Sequence, residues 1–283
     1  MTFLEVEGVS KSFASAGGDK HVLRGVSLSV ERGAFVSIVG AMGSGKSTLL
    51  SLLAGLTMPD RGTIAIDGEP LRGVHRHAAF VFQNYSLLPW FTALENVRLA
   101  VDAAFPDSTR EQQVARARDA LGKVGLANAV NRRPRQLSGG MRQRVAIARA
   151  VATEPRVLFL DDPFGALDAL TRETLQQELA GLGSQTNQRV TTVMITNNVE
   201  EAILLSDRIV PILPGPPATL GVSIPVDLPR PRTVAQLAHD ELATHVRAHV
   251  VATLTASPGR LRKLATEPAT ASRVLPAVAK EMR

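Results

Sequence analysis

The chain has 283 residues, 45% hydrophobic and 20% charged, enough to bury a sizeable core in one large domain, or one domain with an appendage. It has no cysteine, which excludes a disulfide scaffold and a zinc–thiolate site. Its formal charge of +6 is not a nucleic-acid footprint: residues 229–283 hold nine Lys and Arg against four Asp and Glu, a net of +5, and the rest of the chain carries only +1.

The opening MTFLEVEGVSKSF lacks the basic-then-apolar pattern of a secretory signal, and no run of about 18 apolar residues follows, so the simplest expectation is a cytoplasmic protein. FLEVEGVSKSF and, later, TIAIDGEPL alternate apolar and polar residues, as half-buried antiparallel strands do. Phe35–Val39 is different. It is a continuous apolar run between Gly33 and Gly40, the pattern of a parallel strand buried on both faces. Val157–Leu160, Val190–Thr196 and Arg208–Leu213 read the same way, and the alternation of such strands with helical patterns predicts an α/β layered domain.

Directly after Phe35–Val39 comes GAMGSGKST: Gly40, Ala41, Met42, Gly43, Ser44, Gly45, Lys46, Ser47 and Thr48. It fits G-x4-G-K-[ST] between a strand and a helix, the context a phosphate-binding loop requires. Glycines let backbone N–H groups curve around phosphates, Lys46 meets the β- and γ-oxygens, the Ser47 hydroxyl ligates Mg²⁺, and the helix start favours the anion. The metal needs a carboxylate as well. Asp161 supplies one at the end of VLFL, and Asp162 beside it is placed to orient or deprotonate an attacking water.

Between about residues 92 and 152 the pattern is helical, with Val114, Ala117, Leu121 and Val124 predicted on one buried face. Beyond Leu213 a Pro- and Gly-rich stretch gives way to a single predicted helix over 233–254, with Val234, Leu237, Ala238, Leu242 and Val246 aligned, and then a basic tail. Two histidine pairs read as surface: His245 and His249 lack a third ligand, and His75 and His77 lie on a connector.

LSGGMRQRVAIARA (Leu137–Ala150) resembles the signature motif of ABC-type ATPases, and FQN (Phe82–Asn84) their glutamine loop. With the phosphate loop, FLDD and GALD, these motifs follow ABC order over roughly residues 1–225. The resemblance implies a P-loop NTPase with a RecA-like core, an antiparallel β subdomain and a helical signature subdomain at about 86–150, making residues 1–228 an ABC ATPase domain and 229–283 a basic C-terminal helix and tail. It implies ATP and Mg²⁺ as ligands, with the metal held by Ser47, Gln83 and Asp161. It further implies a head-to-tail dimer in which Ser138, Gly139, Gly140 and Gln143 face the ATP of the other subunit. Asp168 would link the two sites, and Phe13 would stack on adenine.

A single nucleotide unit of this kind resembles the separate ATPase subunit of a bacterial importer, peripheral to the cytoplasmic face of the inner membrane. The apolar cluster Leu87, Leu88, Trp90 and Phe91 would receive a permease helix, a solute-binding protein would be an indirect partner, and no nucleic acid is expected. PWFTALENV, LLSDRIVPILPGP and PVDLPRPR resemble the nitrate, sulfonate, taurine and bicarbonate group, closest to the nitrate type.

Two residues depart from the family pattern. Asp162 stands where Glu is usual, which draws the carboxylate back by one methylene, about 1.5 Å. Asn197 stands where a phosphate-contacting His is usual, and an amide donates a hydrogen bond but carries no charge. With Gln83, these are the expected catalytic residues. The expectation is a working but slow ATPase, with the alternative of an ATP-binding regulatory subunit beside a second ATPase. Asn198 is expected to cap the helix that begins near Val199.

Overall fold

The computed structural model describes residues 2–15, 18–182 and 190–256, so the predicted tail beyond residue 256 lies outside the described residues. The alternating segments form a four-stranded antiparallel sheet. β1 (Thr2–Ser15) pairs with β2 (Gly18–Glu31) and with β4 (Arg61–Ile66), and β5 (Glu69–Pro70) closes the far edge. Its inward residues Phe3, Leu4, Val6, Val9, Val26, Val30, Ile64 and Ile66 are buried, while the residues between them mostly face out, as the period of two requires.

The apolar runs form the second sheet. At its centre lie five parallel strands in the order β9 (Arg208–Leu213), β3 (Phe35–Val39), β8 (Thr191–Thr196), β7 (Val157–Asp161) and β6 (Ala78–Val81). Short antiparallel partners, β10 (Thr219–Leu220) and β11 (Ile224–Pro225), flank β9. The register aligns the carboxyl ends: Val39 is opposite Thr196, Asp161 opposite Ile195, and Val81 opposite Leu160. The residues that follow these ends are therefore neighbours in space: Gly40, Asn197, Asp162 and Gln83. In open parallel sheets this edge is where ligands bind.

α1 (Lys46–Leu53) packs between the two sheets with Leu49, Leu50, Leu52 and Leu53 fully buried, each worth about 1.5–3 kcal/mol relative to exposure. Three helices fill the predicted helical stretch: α2 (Ala93–Ala104), α3 (Arg110–Lys123) and α4 (Gly139–Val151). Capping boxes Thr92/Glu95 and Thr109/Gln112 start the first two. The buried face of α3 differs from the predicted one by a residue. Gln113, not Val114, is buried, because its amide donates to Asp102 Oδ1 at 2.7 Å and to the Ser108 carbonyl at 3.2 Å.

α5 (Ala169–Leu182) and α6 (Val199–Leu205) follow β7 and β8. The single helix predicted over 233–254 is two helices, α7 (Val234–His239) and α8 (Glu241–Thr255). Asp240 is extended and caps α8, its Oδ1 accepting the Ala243 N–H at 2.8 Å, which ends one helix and starts the next. Leu237, Ala243, Val246 and Val250 are buried in the same core as Ile203, Leu204, Leu205 and Ile209, whereas Val234, Ala238 and Leu242 are exposed. The described part of this segment is thus packed onto the core. His245 and His249 are exposed, and no cluster of possible metal ligands occurs among the described residues.

Candidate active site

The loop between β3 and α1 is built by glycines. A Cβ on Gly40 would lie 2.3 Å from Ile212 Cγ2, and Gly43 and Gly45 have φ of 76° and 91°, which L side chains rarely adopt. Gly45 is the N-cap of α1 and supplies no side-chain cap, so the first amides of the helix are left for an anion. Ala41 and Met42 are exposed at the tip, and Ser44, Gly45, Lys46 and Thr48 are half-buried. Lys46 Nζ folds back over the loop and donates to the carbonyls of Gly40 and Ala41, each at 2.8 Å. Burial lowers its pKa, and the charges of Asp162 and Asp161 oppose that shift.

Ser47 and Asp161 meet as the motif spacing requires: the hydroxyl donates to Asp161 Oδ1 at 3.2 Å. Burial pushes the Asp161 carboxyl up; the Ser47 bond and Lys46 work against this, and Asp162 adds to it. Two partly buried carboxylates beside one lysine form a site that gains from a further cation. A hydroxyl and carboxylate oxygens are the hard donors Mg²⁺ prefers, so these residues fit that metal.

Asp162 sits just past the strand with φ 42°, a left-handed conformation uncommon for a non-glycine residue, and its N–H donates to the Ile195 carbonyl at 3.0 Å. Its Oδ2 accepts from Gln83 Nε2 at 3.3 Å, while Oδ1 is buried and accepts no hydrogen bond among the described residues. Burial raises its pKa, and Lys46 and Arg172 oppose this. Gly165 presses on the carboxylate: a Cβ there would lie 2.1 Å from Asp162 Oδ2.

Asn197 is exposed at the end of β8, adjacent to this group, and its side chain makes no hydrogen bond among the described residues. Asn198 caps α6, its Oδ1 accepting the amides of Glu200 at 2.9 Å and Glu201 at 3.3 Å. The structure thus brings together Gly40–Thr48, Gln83, Asp161, Asp162 and Asn197. Phe13 is 44% exposed on β1 with Lys11 Nζ 5.5 Å from its ring centre, so it is a surface aromatic and not a core one.

The Ser138 group lies on a separate edge. Ser138 caps α4 by accepting the Met141 N–H at 3.2 Å, Gly139 is near the Tyr85 hydroxyl, and Gly140 is pressed against Thr171, where a Cβ would come within 2.2 Å. Ser138 is exposed, but Gln143 is 1% exposed and points into the core, so the structure does not bring it to that edge. Asp168 is exposed and starts α5, accepting the Thr171 N–H at 3.0 Å. Trp90 is 62% exposed, whereas Leu87, Leu88 and Phe91 are half-buried. Their loop is fixed from below by buried Asn96, which bonds the Leu88, Phe91 and Thr92 backbones, and by Arg149, which donates to the Tyr85 and Ser86 carbonyls.

Comparison with known proteins agrees with this geometry. A family model described as ABC transporter matches residues 23–165. The chain belongs to the ABC transporter family. It is 45% identical over 249 residues to a nitrate transport protein, NasD of Klebsiella oxytoca, covering 88% of this chain and 94% of that one. It is 46% identical over 232 residues to the nitrate import ATP-binding protein NrtD of Synechococcus elongatus, covering 81% of this chain and 84% of that one. The bicarbonate transport ATP-binding protein CmpC of the same organism is 44% identical over 88% of this chain, which spans only 37% of that protein's length. Among solved structures, a dimeric post-hydrolysis state of the ATP-binding cassette MJ0796 bound to ADP and Pi has a TM-score of 0.70 at 31% identity, covering 80% of this chain and 99% of that chain.

Within this ABC fold, sequence reasoning missed Gly165, Arg172, Thr196 and Glu201. Glu201 is 3% exposed, accepts from Thr196 Oγ1 at 2.8 Å, and faces Arg172 Nε at 3.7 Å. Thr196 Oγ1 also accepts the Asn198 N–H at 3.0 Å. These residues tie the start of α6 to α5. Glu201 lies four residues beyond Asn197 on a short helix, and that spacing was the only signal in the sequence.

Proposed function

We propose that the chain is the ATP-binding and ATP-hydrolysing subunit of an importer, energising uptake of a small anion, most consistent with nitrate. The observation that carries the activity is the convergence of Lys46, Ser47, Asp161, Asp162 and Gln83 at adjacent strand ends. Lys46 and the α1 amides hold the phosphates. The Asp162 carboxylate, of which only Oδ2 is engaged, by Gln83, orients the water that attacks the γ-phosphorus and takes up its proton. Asn197 donates its amide N–H to a γ-phosphate oxygen. Ser47, Asp161 and Gln83 would hold Mg²⁺, which neutralises charge on the phosphates when bound.

The unit that turns over is a dimer, with the Ser138–Gly140 start of α4, of which Ser138 is exposed, facing the nucleotide of a second copy and Asp168 between the sites. The MJ0796 cassette is itself dimeric, which supports this arrangement. Phe13 takes the adenine. The loop bearing Trp90 docks the permease, which places the subunit at the cytoplasmic face of the membrane. The names of NasD and NrtD support nitrate, and that of CmpC keeps bicarbonate as the alternative.

A second reading is carried by Asn197, whose side chain makes no bond to Asp162: the chain binds ATP and closes a dimer whose hydrolysis rests on a companion ATPase. Phosphate release by the chain reconstituted with its permease and no other ATPase decides between them. Turnover supports the first reading, and ATP binding without turnover supports the second. Uptake of labelled nitrate against bicarbonate in the same vesicles tests the solute.

A further inference from the structure

α6 has only seven residues, under two turns, and a helix that short does not hold itself in place. It matters because Asn197 and its N-cap Asn198 form its entry. Thr196, Arg172 and Gln176 fix its inner side through Glu201. Its outer side and its far end are held by the C-terminal segment.

At the far end, Arg232 is 8% exposed and all its hydrogen bonds go to carbonyls. Its guanidinium donates to Ile203 and Ser206 at 2.7 Å each, on the last turn of α6, and to Val226 at 2.9 Å and Leu228 at 2.8 Å on the incoming strap. A cation among the last carbonyls of a helix meets both their unpaired acceptors and the negative end of the helix dipole. Burial lowers its pKa to about 10, so it remains charged at neutral pH. Arg230 adds bonds to the Leu205 carbonyl at 2.6 Å and Asp207 Oδ1 at 2.9 Å, and Asp207 Oδ2 accepts the Phe35 N–H at 2.8 Å at the start of β3.

At the near end, Arg247 of α8 grips Glu200 with two guanidinium nitrogens, Nε to Oε1 and Nη2 to Oε2, the latter at 2.9 Å. This is the bidentate fork that fixes orientation as well as distance. Between the two clamps, Leu237, Val246 and Val250 pack in the core that holds Ile203 and Leu205.

We propose that the strap and helices 228–255 are a positioning element for hydrolysis: Arg232 and Arg247 hold α6 at its two ends and thereby set where Asn197 stands at the γ-phosphate. This rests on the reading of Asn197 given above. An uncharged amide makes a weaker contact than a charged imidazolium, so its placement matters more. Anything that moves α8, whether a partner or the chain beyond it, then acts on turnover through α6.

The test uses the full chain and leaves Arg232 in place, because its loss strands buried carbonyls and endangers folding. Arg247→Glu is expected to lower kcat about two- to fivefold, in the range of a partly exposed ion pair, with ATP affinity unchanged. The charge-swapped double variant Arg247→Glu with Glu200→Arg restores kcat, and in an Asn197→Ala background Arg247→Glu has no further effect. Amide exchange over Val199–Leu205 quickens in Arg247→Glu and recovers in the swap, while exchange in β3 does not change. The proposal is overturned if Arg247→Glu changes neither kcat nor exchange while Asn197→Ala lowers kcat, which leaves the site reading standing. It is also overturned if Arg247→Glu lowers kcat equally in both backgrounds. If Asn197→Ala does not alter kcat, the site reading fails first and the proposal with it.

Discussion

On the Lys46 side of the site, position is set by backbone; on the Asp162 side, it is set by side chains. Gly40 is wedged against Ile212, Gly43 and Gly45 take conformations that only glycine adopts easily, and Lys46 lies on the carbonyls of its own loop. Across the site, the Asp162 carboxylate has one bond, from Gln83, and the Asn197 side chain has none among the described residues. A phosphate cradle made of main chain tolerates few changes. An edge made of exposed or half-satisfied side chains tolerates substitution, and both departures from the family pattern fall there. On the roles proposed above, binding and turnover should therefore be separable by mutation.

The largest expected effect comes from the backbone-built side. Lys46→Ala removes the ammonium that lies over the loop and is expected to lower turnover about 10³-fold and ATP affinity more than about tenfold, read by phosphate release and by nucleotide binding. Asp162→Asn is expected to lower turnover about 10²- to 10³-fold while changing ATP affinity by less than about twofold. If Asp162→Asn weakens ATP binding as much as Lys46→Ala does, the two sides are not separable and the comparison fails.

A gain sharpens it further. Asp162→Glu with Asn197→His is expected to raise turnover about tenfold, since the carboxylate advances by a methylene and a chargeable donor returns to the phosphate edge. A flat or lower rate in the double variant would show that the native pair is matched in a way these contacts do not explain. A smaller loss is expected from Gly165→Ala. The new methyl collides with Asp162 Oδ2 and must turn the carboxylate, lowering turnover about three- to tenfold with ATP affinity unchanged. The backbone of Gly165 is not left-handed, so the effect reads the carboxylate and not the fold.

How much of this was legible follows the same division. Four of the five central strands, β3, β7, β8 and β9, were readable because continuous apolar runs are local signals, whereas β6, only four residues long, was not; the Gly40–Thr48 loop was readable because a phosphate cradle needs those residue types in that order. The reading of α3 placed Val114 on the buried face because periodicity sees apolar residues only, and a polar side chain such as Gln113, satisfied by Asp102 and the Ser108 carbonyl, looks solvated in sequence. The break at Asp240 was hidden inside a run with acceptable helix propensity. Gln143 follows the signature glycines in sequence, yet the turn of α4 carries it to the buried face. Arg172, Glu201 and Arg232 were hard to read for a different reason: Arg172 pairs with Glu201 across 29 residues, and Arg232 reaches Ile203 and Ser206 across 29 and 26, so only the packing of α5, α6 and the strap brings these groups together.

The smallest effect tests whether the inner tether of α6 serves turnover or only folding. Burial pushes the Glu201 carboxyl above the ordinary glutamate range; Thr196, Arg172 and Gln176 pull it back, and Asp162 adds to the rise. The folded protein then holds this proton more tightly than the unfolded chain does. The stability so gained is fully present below the ordinary glutamate value and is lost as pH rises through the raised one. Glu201→Gln cannot titrate, so its stability relative to the native chain should improve as pH climbs from the acid range toward neutrality, measured by denaturant unfolding across that window. Turnover should move the other way, falling about two- to threefold at neutral pH, because glutamine accepts from Thr196 but no longer draws Arg172. A variant that gains stability at neutral pH and yet turns over more slowly marks the ion pair as a positioning contact. A variant that loses both together marks it as a structural one.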